Sequence, residues 1–319
     1  MAKSDIAFSA AQKMPAVAKA LLYTWVRTRL WMTGDPDSAD HWFALRLADE
    51  LDYRLPIRAR LGNGMTMRVA WNDYVSRNIL TSGYYEPEII RVFETFLRPG
   101  MVLFDVGGHV GQYSLVGSRL VGATGSVHSF EPDPRTFAWL KANVEANHLA
   151  NVHVNQMALA GETGEKQFFF ATPKDIGSNS LSKPSNFSGR TAIVRCMTIN
   201  DYMKEHGIHH VDMMKIDVEG AESFVLSGAS SILNGAEKPL IVIEFEEARQ
   251  KAFGNSCEKL GAFLRDRGYD LYRIGAAPFT EYTPLPNDAP SFNILAVPPE
   301  KSAQISDLLP ARNCAKVAG

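Results

Sequence analysis

The sequence predicts an α/β protein with a mainly parallel, seven-stranded sheet and helices on both faces. Runs of strand formers alternate with segments of helical periodicity from residue 100 to about residue 270. This alternation is typical of parallel strands joined by crossover helices. Two later apolar runs, "YDLYRIG" and "FNILAV", predict a terminal antiparallel strand pair.

The individual elements follow from apolar periodicity and from the turn residues between them. Strands are predicted at residues 102–106, 126–131, 152–158, 211–217 and 240–245. Helices are predicted at residues 111–121, 134–147, 220–234 and 256–267. Residues 171–190 are rich in Ser, Asn, Gly and Pro and predict a long loop. We interpret this loop as a mobile wall over the ligand site, with a disordered insertion as the alternative.

Four regions are expected along the chain. They are an N-terminal helical extension at residues 1–60, a hairpin and helix at 61–99, the ligand-binding core at 100–300 and a tail at 301–319. Within residues 61–80, Asn63-Gly64 is typical of a type I′ hairpin turn. The segment "GYYEPEIIRVFETFL" then has helical spacing and stops at Pro99-Gly100.

Composition excludes several classes of protein. The chain has 319 residues, of which 45% are hydrophobic, and this favours a globular protein. Its formal net charge of -2 argues against a nucleic-acid partner. The 3 cysteines are far apart and indicate neither a disulfide framework nor a zinc site, which fits a cytoplasmic location.

The amino-terminal segment at residues 13–31 combines basic and aromatic side chains. It is too short to span a bilayer, and Lys19 interrupts its apolar run. An amphipathic helix packed on the protein is the preferred interpretation. The alternative is a helix on an anionic membrane surface, so we keep peripheral membrane contact through residues 13–31 as a hypothesis.

The turn after the first parallel strand identifies a class of ligand. It reads D-x-G-x-x-x-G, with Asp105 at the strand end followed by Gly107, Gly108, His109 and Gly111. The dinucleotide pattern G-x-G-x-x-G is absent from it. A carboxylate at this place repels a pyrophosphate but suits a ligand with an ammonium group, and S-adenosylmethionine is such a ligand.

The next two strand ends supply candidates for the rest of this cofactor. Glu131, followed by Pro132, ends the second strand, where an acid accepts hydrogen bonds from ribose hydroxyls. The third strand ends at Gln156, Met157 and Ala158, which we expect along the adenine. A turn built from glycines, or Glu131 as a helix cap, remains the structural alternative for each residue alone.

These motifs together resemble the FkbM family of S-adenosylmethionine-dependent methyltransferases. The resemblance covers residues 80–298 and rests on "GYYEPE", "FDVGGHVGQYS", "HSFEPDP", "MKIDVEGAESFVLSGA", "IVIEFE" and "NILAVP". It implies a Rossmann-like methyltransferase fold and O-methylation of polyketide, glycan or glycolipid hydroxyls. The family pattern D-x-G-A-N-x-G is altered here, because Gly108 and His109 replace the Ala and Asn.

A hydroxyl acceptor needs a group that takes its proton. In "MMKIDVEGAE", Lys215, Asp217 and Glu219 alternate and are expected on one face at a strand end. Asp217 is the first candidate base, with Glu219 and Glu244 in reserve and His109 behind them. The alternative is a Lys215–Asp217 ion pair that braces the sheet.

Two other questions stay open at this level. Asp217 with Glu219 or Glu244 also makes a weak metal signal, and no metal is predicted. The leading function is O-methylation of a small molecule, glycan or glycolipid. The rivals are a cofactor-binding protein without turnover and, less favoured, an NAD-dependent oxidoreductase; the oligomeric state is not predicted.

Overall fold

The computed structural model describes residues 24–25, 56–70, 73–172, 176–275, 278–284 and 291–309. Contacts divide the chain into two units, residues 1–85 with 172–177, and residues 86–171 with 178–319. Most of the predicted N-terminal extension, including nearly all of residues 13–31, lies outside the described residues. No helix within the described ranges is long and apolar enough to cross a membrane.

The bounds of the strands and helices are as follows. The strands are β1 Pro56–Arg60, β2 Thr66–Ala70, β3 Val102–Val106, β4 Ser126–Phe130, β5 Val152–Asn155, β6 Ala158–Leu159, β7 Gly164–Ala171, β8 Phe187–Met197, β9 Met213–Ile216, β10 Leu240–Phe245, β11 Asp270–Arg273, β12 Thr280–Glu281 and β13 Phe292–Val297. The α-helices are α1 Tyr74–Ser82, α2 Pro87–Phe96, α3 Gln112–Val121, α4 Pro134–Ala146, α5 Ile199–His206, α6 Glu222–Ser227, α7 Ser230–Leu233, α8 Glu247–Ala252 and α9 Cys257–Arg265. Short 3-10 helices occupy Ile176–Ser178 and Pro299–Leu308.

In the first unit, an antiparallel hairpin precedes a helix. Strand β1 pairs with β2 from Pro56↔Ala70 to Arg60↔Thr66. Gly64 has a φ of 87°, whereas Asn63 is outside the positive-φ region, so the predicted type I′ turn is wrong. The predicted hairpin range of residues 61–80 is displaced: β1 begins at Pro56, inside the predicted helical extension, and Asp73 already caps α1 by accepting a hydrogen bond from the Ser76 N–H.

The central sheet of the second unit has eight strands in the order β12-β11-β13-β10-β9-β3-β4-β5. Strands β10, β9, β3, β4 and β5 are parallel, and β13 runs antiparallel to both β10 and β11. The predicted α/β class and its antiparallel end are confirmed. Of the eight strands in this sheet, only the two-residue edge strand β12 was not predicted from the sequence.

The strand order reverses beside β3. The chain builds β3, β4 and β5 toward one edge and then returns to place β9 on the other side of β3. Loops at the carboxyl ends of β3 and β9 therefore diverge, and such a point is where open α/β sheets bind ligands. The strands around it are buried on both faces, as the 0% exposure of Leu103, Phe104 and Val106 shows.

A second, three-stranded sheet in the order β6-β8-β7 corrects two predictions. The predicted strand 152–158 is two strands, because the Met157 N–H bends back to the Asn155 carbonyl at 3.0 Å and Ala158 pairs with Cys196. The predicted loop at 171–190 is largely ordered in its described part. Phe169 and Ser180 form a β-bridge, and β8 begins at Phe187.

The predicted helix at 220–234 is also divided in two. Helix α6 ends at Gly228, where a Cβ atom would lie 2.3 Å from the Ala160 carbonyl oxygen. The backbone at Ala160 passes so close to Gly228 that a residue with a side chain does not fit at this position. A short second helix, α7, follows.

Candidate active site

The turn after β3 requires glycine because backbone from β9 crosses it. Gly107 has a φ of 88°, and a Cβ atom on it would lie 1.8 Å from the Asp217 carbonyl oxygen. A Cβ on Gly108 would lie 2.2 Å from Ser129 Oγ. Gly111, with a φ of 100°, begins α3. The glycines thus join the turn closely to its neighbouring strands and keep side chains out of it.

His109 takes the left-handed conformation, with a φ of 47°. Asn and His are among the residues that tolerate this region best, which explains why His can stand where the family pattern has Asn. Its backbone N–H donates to Glu131 Oε2 at 2.8 Å. The turn and the end of β4 are therefore tied together by Glu131.

Asp105 is completely buried at the end of β3. Ser114 Oγ donates to its Oδ2 at 2.5 Å, whereas Oδ1 has no hydrogen-bond partner among the described residues. Burial raises the pKa of Asp105, and Lys215 opposes that rise. An ammonium donor would satisfy Oδ1 and favour the charged carboxylate, so this residue fits the ligand that the sequence predicts.

Glu131 is 7% exposed and accepts one backbone N–H on each oxygen. Besides His109, the Asp133 N–H donates to Oε1 at 2.8 Å. Burial raises the pKa of Glu131. Each carboxylate oxygen keeps a further lone pair, which is what a ribose diol needs. Pro132 is half-buried beside it.

The third strand end differs from the sequence-based expectation in one respect. The N–H of Met157 is already bonded to Asn155, and both Met157 and Ala158 are buried. The side chain of Gln156 is exposed, and Gln156 remains the candidate for contact with the adenine at this position.

A second cluster lies across β9 and β10, next to the turn. In register, Lys215 pairs with Asp105 on one side and Val242 on the other, and Glu244 pairs with Asn293. Residues paired in this way point to the same face of the sheet. The predicted acidic residues are therefore brought together at the carboxyl edge.

Lys215 is 3% exposed and its Nζ lies 2.9 Å from Asp217 Oδ2. Burial disfavours the ammonium, but Asp217 and Asp105 outweigh burial and raise the pKa of Lys215. Burial also disfavours the Asp217 carboxylate, but Lys215 and Arg249 hold its pKa below the ordinary value. The Lys215–Asp217 ion pair, which was the structural alternative to a catalytic Asp217, is present, and the role of Asp217 as the base stays a prediction.

The pKa of Glu244 is shifted in the opposite direction from that of Asp217. Burial raises its pKa well above the ordinary value, and the nearby carboxylate of Asp217 adds to the rise. Carboxylate oxygens of Asp217, Glu219 and Glu244 all lie within 4.8 Å of one another. The charged form of Glu244 is therefore disfavoured beside the Asp217 carboxylate.

The same three carboxylates are the group of described residues that can hold a divalent cation. Lys215 already neutralises Asp217, and Arg249 forms an ion pair with Glu219. Basic side chains of the protein therefore already neutralise two of the three carboxylates. The prediction that no metal binds stays untested.

Glu219 and Glu222 serve the turn after β9. Glu219 has a φ of 61°, and its carbonyl accepts a hydrogen bond from Ser180 Oγ at 2.9 Å. Asn179 Nδ2 donates to Asp133 Oδ2 at 2.7 Å. The described end of segment 171–190 therefore contacts the start of α4 and the turn after β9, and its role as a wall over the ligand site stays a prediction. Buried Glu222 accepts the Val218 and Gly220 N–H groups just before α6 and so holds the start of that helix.

Three residues of the second cluster were not predicted from the sequence: Glu86, Tyr113 and Asn293. Glu86, just before α2, accepts hydrogen bonds from Tyr113 Oη at 2.7 Å and from Asn293 Nδ2 at 2.6 Å. One signal was available: Glu is a poor N-cap residue, yet Glu86 directly precedes Pro87 at the helix start. Nothing local marks Asn293, because it lies in an ordinary strand.

Comparisons with known proteins agree with this geometry. The methyltransferase FkbM domain matches residues 105–271. The chain is 30% identical over 202 residues to 31-O-demethyl-FK506 methyltransferase FkbM of Streptomyces tacrolimicus, with 53% of this chain and 74% of that protein covered. It is 25% identical to the hexuronic acid methyltransferase AglP of Haloferax volcanii, covering 50% of this chain and 62% of AglP.

A third relative is the 2-O-methyltransferase NoeI of Sinorhizobium fredii. The identity is 26%, and 43% of this chain and 60% of NoeI are covered. With a family domain matched across half of the chain, a glycine turn that suits an ammonium ligand, and a Rossmann-like sheet, the assignment is secure. The protein belongs to the FkbM methyltransferase family, whose cofactor is S-adenosylmethionine.

Proposed function

We propose that the protein is an O-methyltransferase that acts on a hydroxyl of a glycan, glycolipid or polyketide-like small molecule. The observation that carries the proposal is the buried Lys215–Asp217 pair with Glu244 beside it, one strand away from Asp105. A hydroxyl is a weak nucleophile until its proton is taken, and Asp217 is an ionised carboxylate suited to take it.

The cofactor is held by this chain's own groups. Asp105 would receive the ammonium group, Glu131 the ribose hydroxyls and Gln156 the adenine. The N–H groups of Gly107 and Gly108 donate to the Phe130 carbonyl and hold the turn itself in place. When bound, S-adenosylmethionine supplies an activated methyl group whose leaving group is already excellent. The protein's contribution is then mainly orientation of the acceptor and placement of its proton.

The charge of the cluster supports a hydroxyl rather than a carboxylate acceptor. A carboxylate has no proton to lose and needs no base. It would also be repelled by Asp217 and its acidic neighbours. A neutral hydroxyl avoids that repulsion, donates a hydrogen bond to Asp217 and gives its proton as the C–O bond forms.

The names of the relatives are consistent with this choice. One is a 31-O-demethyl-FK506 methyltransferase and one is a 2-O-methyltransferase. The name of the third, a hexuronic acid methyltransferase, does not state which atom is methylated.

A panel assay tests the proposal. The protein is incubated with S-adenosylmethionine and with hydroxyl-bearing sugars, uronic acids, lipid-linked sugars and macrocyclic diols, and adenosylhomocysteine is measured. A methyl group that resists alkaline hydrolysis and appears as an ether by NMR is the expected product. A base-labile methyl ester, or cofactor binding without product across the panel, would contradict it. Activity that persists in EDTA is expected, because the chain supplies the cations at Asp217 and Glu219.

A further inference from the structure

The backbone at Glu86 is strained in a way that its position at a helix start does not explain. Its φ of 49° and ψ of 66° lie in the left-handed region, which costs a residue with a Cβ about 1–2 kcal/mol. Its side chain makes no capping hydrogen bond to α2. Strain that persists without local benefit points to a role elsewhere.

The Glu86 carboxylate accepts two hydrogen bonds from outside its own helix. Tyr113 comes from the first turn of α3 and Asn293 from β13, so Glu86 joins the start of α2 to two separate elements. Both bonds are short, at 2.7 Å from Tyr113 Oη and 2.6 Å from Asn293 Nδ2. The phenol of Tyr113 is thereby fixed in one orientation.

Tyr113 in turn lies against Lys215. The Lys215 ammonium is 4.5 Å from the centroid of the Tyr113 ring, within the range of a cation–π contact. The same ammonium donates to Asp217 at 2.9 Å. Four residues therefore form a continuous series from Glu86 through Tyr113 and Lys215 to Asp217, which we call the Glu86 series.

We propose that Glu86 is a positioning residue for Asp217, acting through Tyr113 and Lys215. The inference rests on the proposed function, in which Asp217 receives the acceptor proton. Without the carboxylate, the Tyr113 ring can rotate and the Lys215 ammonium loses the surface that holds it over Asp217. Asp217 then spends less time in the orientation that accepts a hydroxyl proton.

Two substitutions at residue 86 separate positioning from backbone effects. Glu86→Gly removes the side chain in a conformation that glycine adopts freely. Glu86→Gln keeps an acceptor for Tyr113 and a partner for Asn293. Tyr113→Phe keeps the ring under Lys215 but removes the hydroxyl. Glu88→Gln, at a neighbouring acid outside the series, is the matched control.

The first readout needs no acceptor. In protein labelled with ¹⁵N-lysine, the Lys215 ammonium gives an NMR signal as long as its buried hydrogen bond slows exchange, and Lys215→Met assigns it. The signal should disappear in Glu86→Gly, persist in Glu86→Gln and Glu88→Gln, and weaken in Tyr113→Phe. An unchanged signal in a folded Glu86→Gly protein overturns the proposal.

The second readout is turnover of the best hydroxyl acceptor from the panel. Glu86→Gly should lower kcat by roughly 10- to 100-fold with little change in cofactor affinity, and Glu86→Gln should recover most of it. The effects of Glu86→Gly and Tyr113→Phe should not add, because both act on one series. Wild-type kcat in Glu86→Gly together with a large loss in Asp217→Asn overturns the positioning role alone, whereas wild-type turnover in Asp217→Asn overturns the proposed function.

Discussion

At the scale of single residues, Glu131 holds the cofactor side of the site together. Glu131→Ala should weaken S-adenosylmethionine binding by about 1.5–3 kcal/mol, because hydrogen bonds to a charged group are lost. It also leaves the His109 and Asp133 N–H groups without their carboxylate acceptor. Calorimetry measures the affinity, and Glu145→Ala, at an exposed acid on α4, is the control. Wild-type affinity in the folded variant would rule out the ribose assignment.

Asp217 is the residue on which the acceptor side depends. Asp217→Asn keeps an oxygen for Lys215 but loses the charge that takes the proton. Turnover should fall by roughly 10²–10⁴, while cofactor affinity stays within a few-fold. Adenosylhomocysteine production, calorimetry and thermal melts are measured on one sample.

The brace interpretation predicts a different outcome for the same variant. If Asp217 only pairs with Lys215, turnover of the folded protein stays near normal and the melting temperature falls. Glu205→Gln, which breaks an exposed ion pair with Arg195 at 3.7 Å, is the control for loss of an ion pair alone.

At the scale of elements, the contact between the β3 turn and the end of β9 sets the geometry of both clusters. Gly107→Ala should destabilise the protein by more than about 3 kcal/mol, because its Cβ overlaps the Asp217 carbonyl. Gly189 is the matched control, with a φ of 83° and nothing within 4 Å of an added Cβ. Gly189→Ala should cost only the backbone term of about 1–2 kcal/mol. Equal melting temperatures for the two variants would contradict the close approach.

The same elements show what could be predicted from sequence. The parallel strands were found because fully apolar runs bounded by glycine and acid are a local signal. The three-stranded sheet was not, because its pairing of Ala158 with Cys196 joins residues far apart in the chain. Helix α5 also escaped prediction, since a short polar helix capped by Thr198 has little periodicity.

The active site divides in the same way. Asp105, Gly107 and Glu131 lie at strand ends, where position in the motif implies role. Glu86 and Asn293 become neighbours only through folding, and neither stands in a pattern that names its partner. Local sequence therefore predicts the candidate cofactor residues, whereas the residues that we propose to position the acceptor base need the structure.

At the scale of the whole molecule, two buried groups far apart in sequence oppose each other in their effect on acid stability. His128 bonds Tyr202 Oη at 2.8 Å, and burial lowers its pKa to about 3. The unfolded chain therefore binds more protons than the folded one between that value and its ordinary pKa of 6.5. Stability should fall as pH drops below about 6.5, by about 3 kcal/mol at pH 4.

Glu222 works in the opposite direction, because burial raises its pKa to about 7. Here the folded chain binds more protons between its ordinary pKa of 4.5 and that value. Stability should fall as pH rises through this window, by about 3 kcal/mol in total. The two contributions cancel where their windows overlap, between pH 4.5 and 6.5. Denaturant unfolding from pH 4 to 8 separates them: stability should fall with rising pH in His128→Asn, where only the Glu222 contribution remains, and should rise with pH up to about 6.5 in Glu222→Gln. Unchanged slopes would contradict the burial argument.

The insertion of β13 between β10 and β11 has a consequence for the protein during its synthesis. The cofactor residues lie between positions 105 and 158, but Asn293 and the rest of β13 leave the ribosome much later. At about 5–20 residues per second, the delay is on the order of ten seconds. In the last part of this delay, after β10 has been made and before β13 follows, the apolar strand β10 has β9 on one side and no neighbour on the other. Such an open edge pairs readily with other chains, so the nascent protein is most exposed to aggregation and most dependent on chaperones just before its last strand arrives.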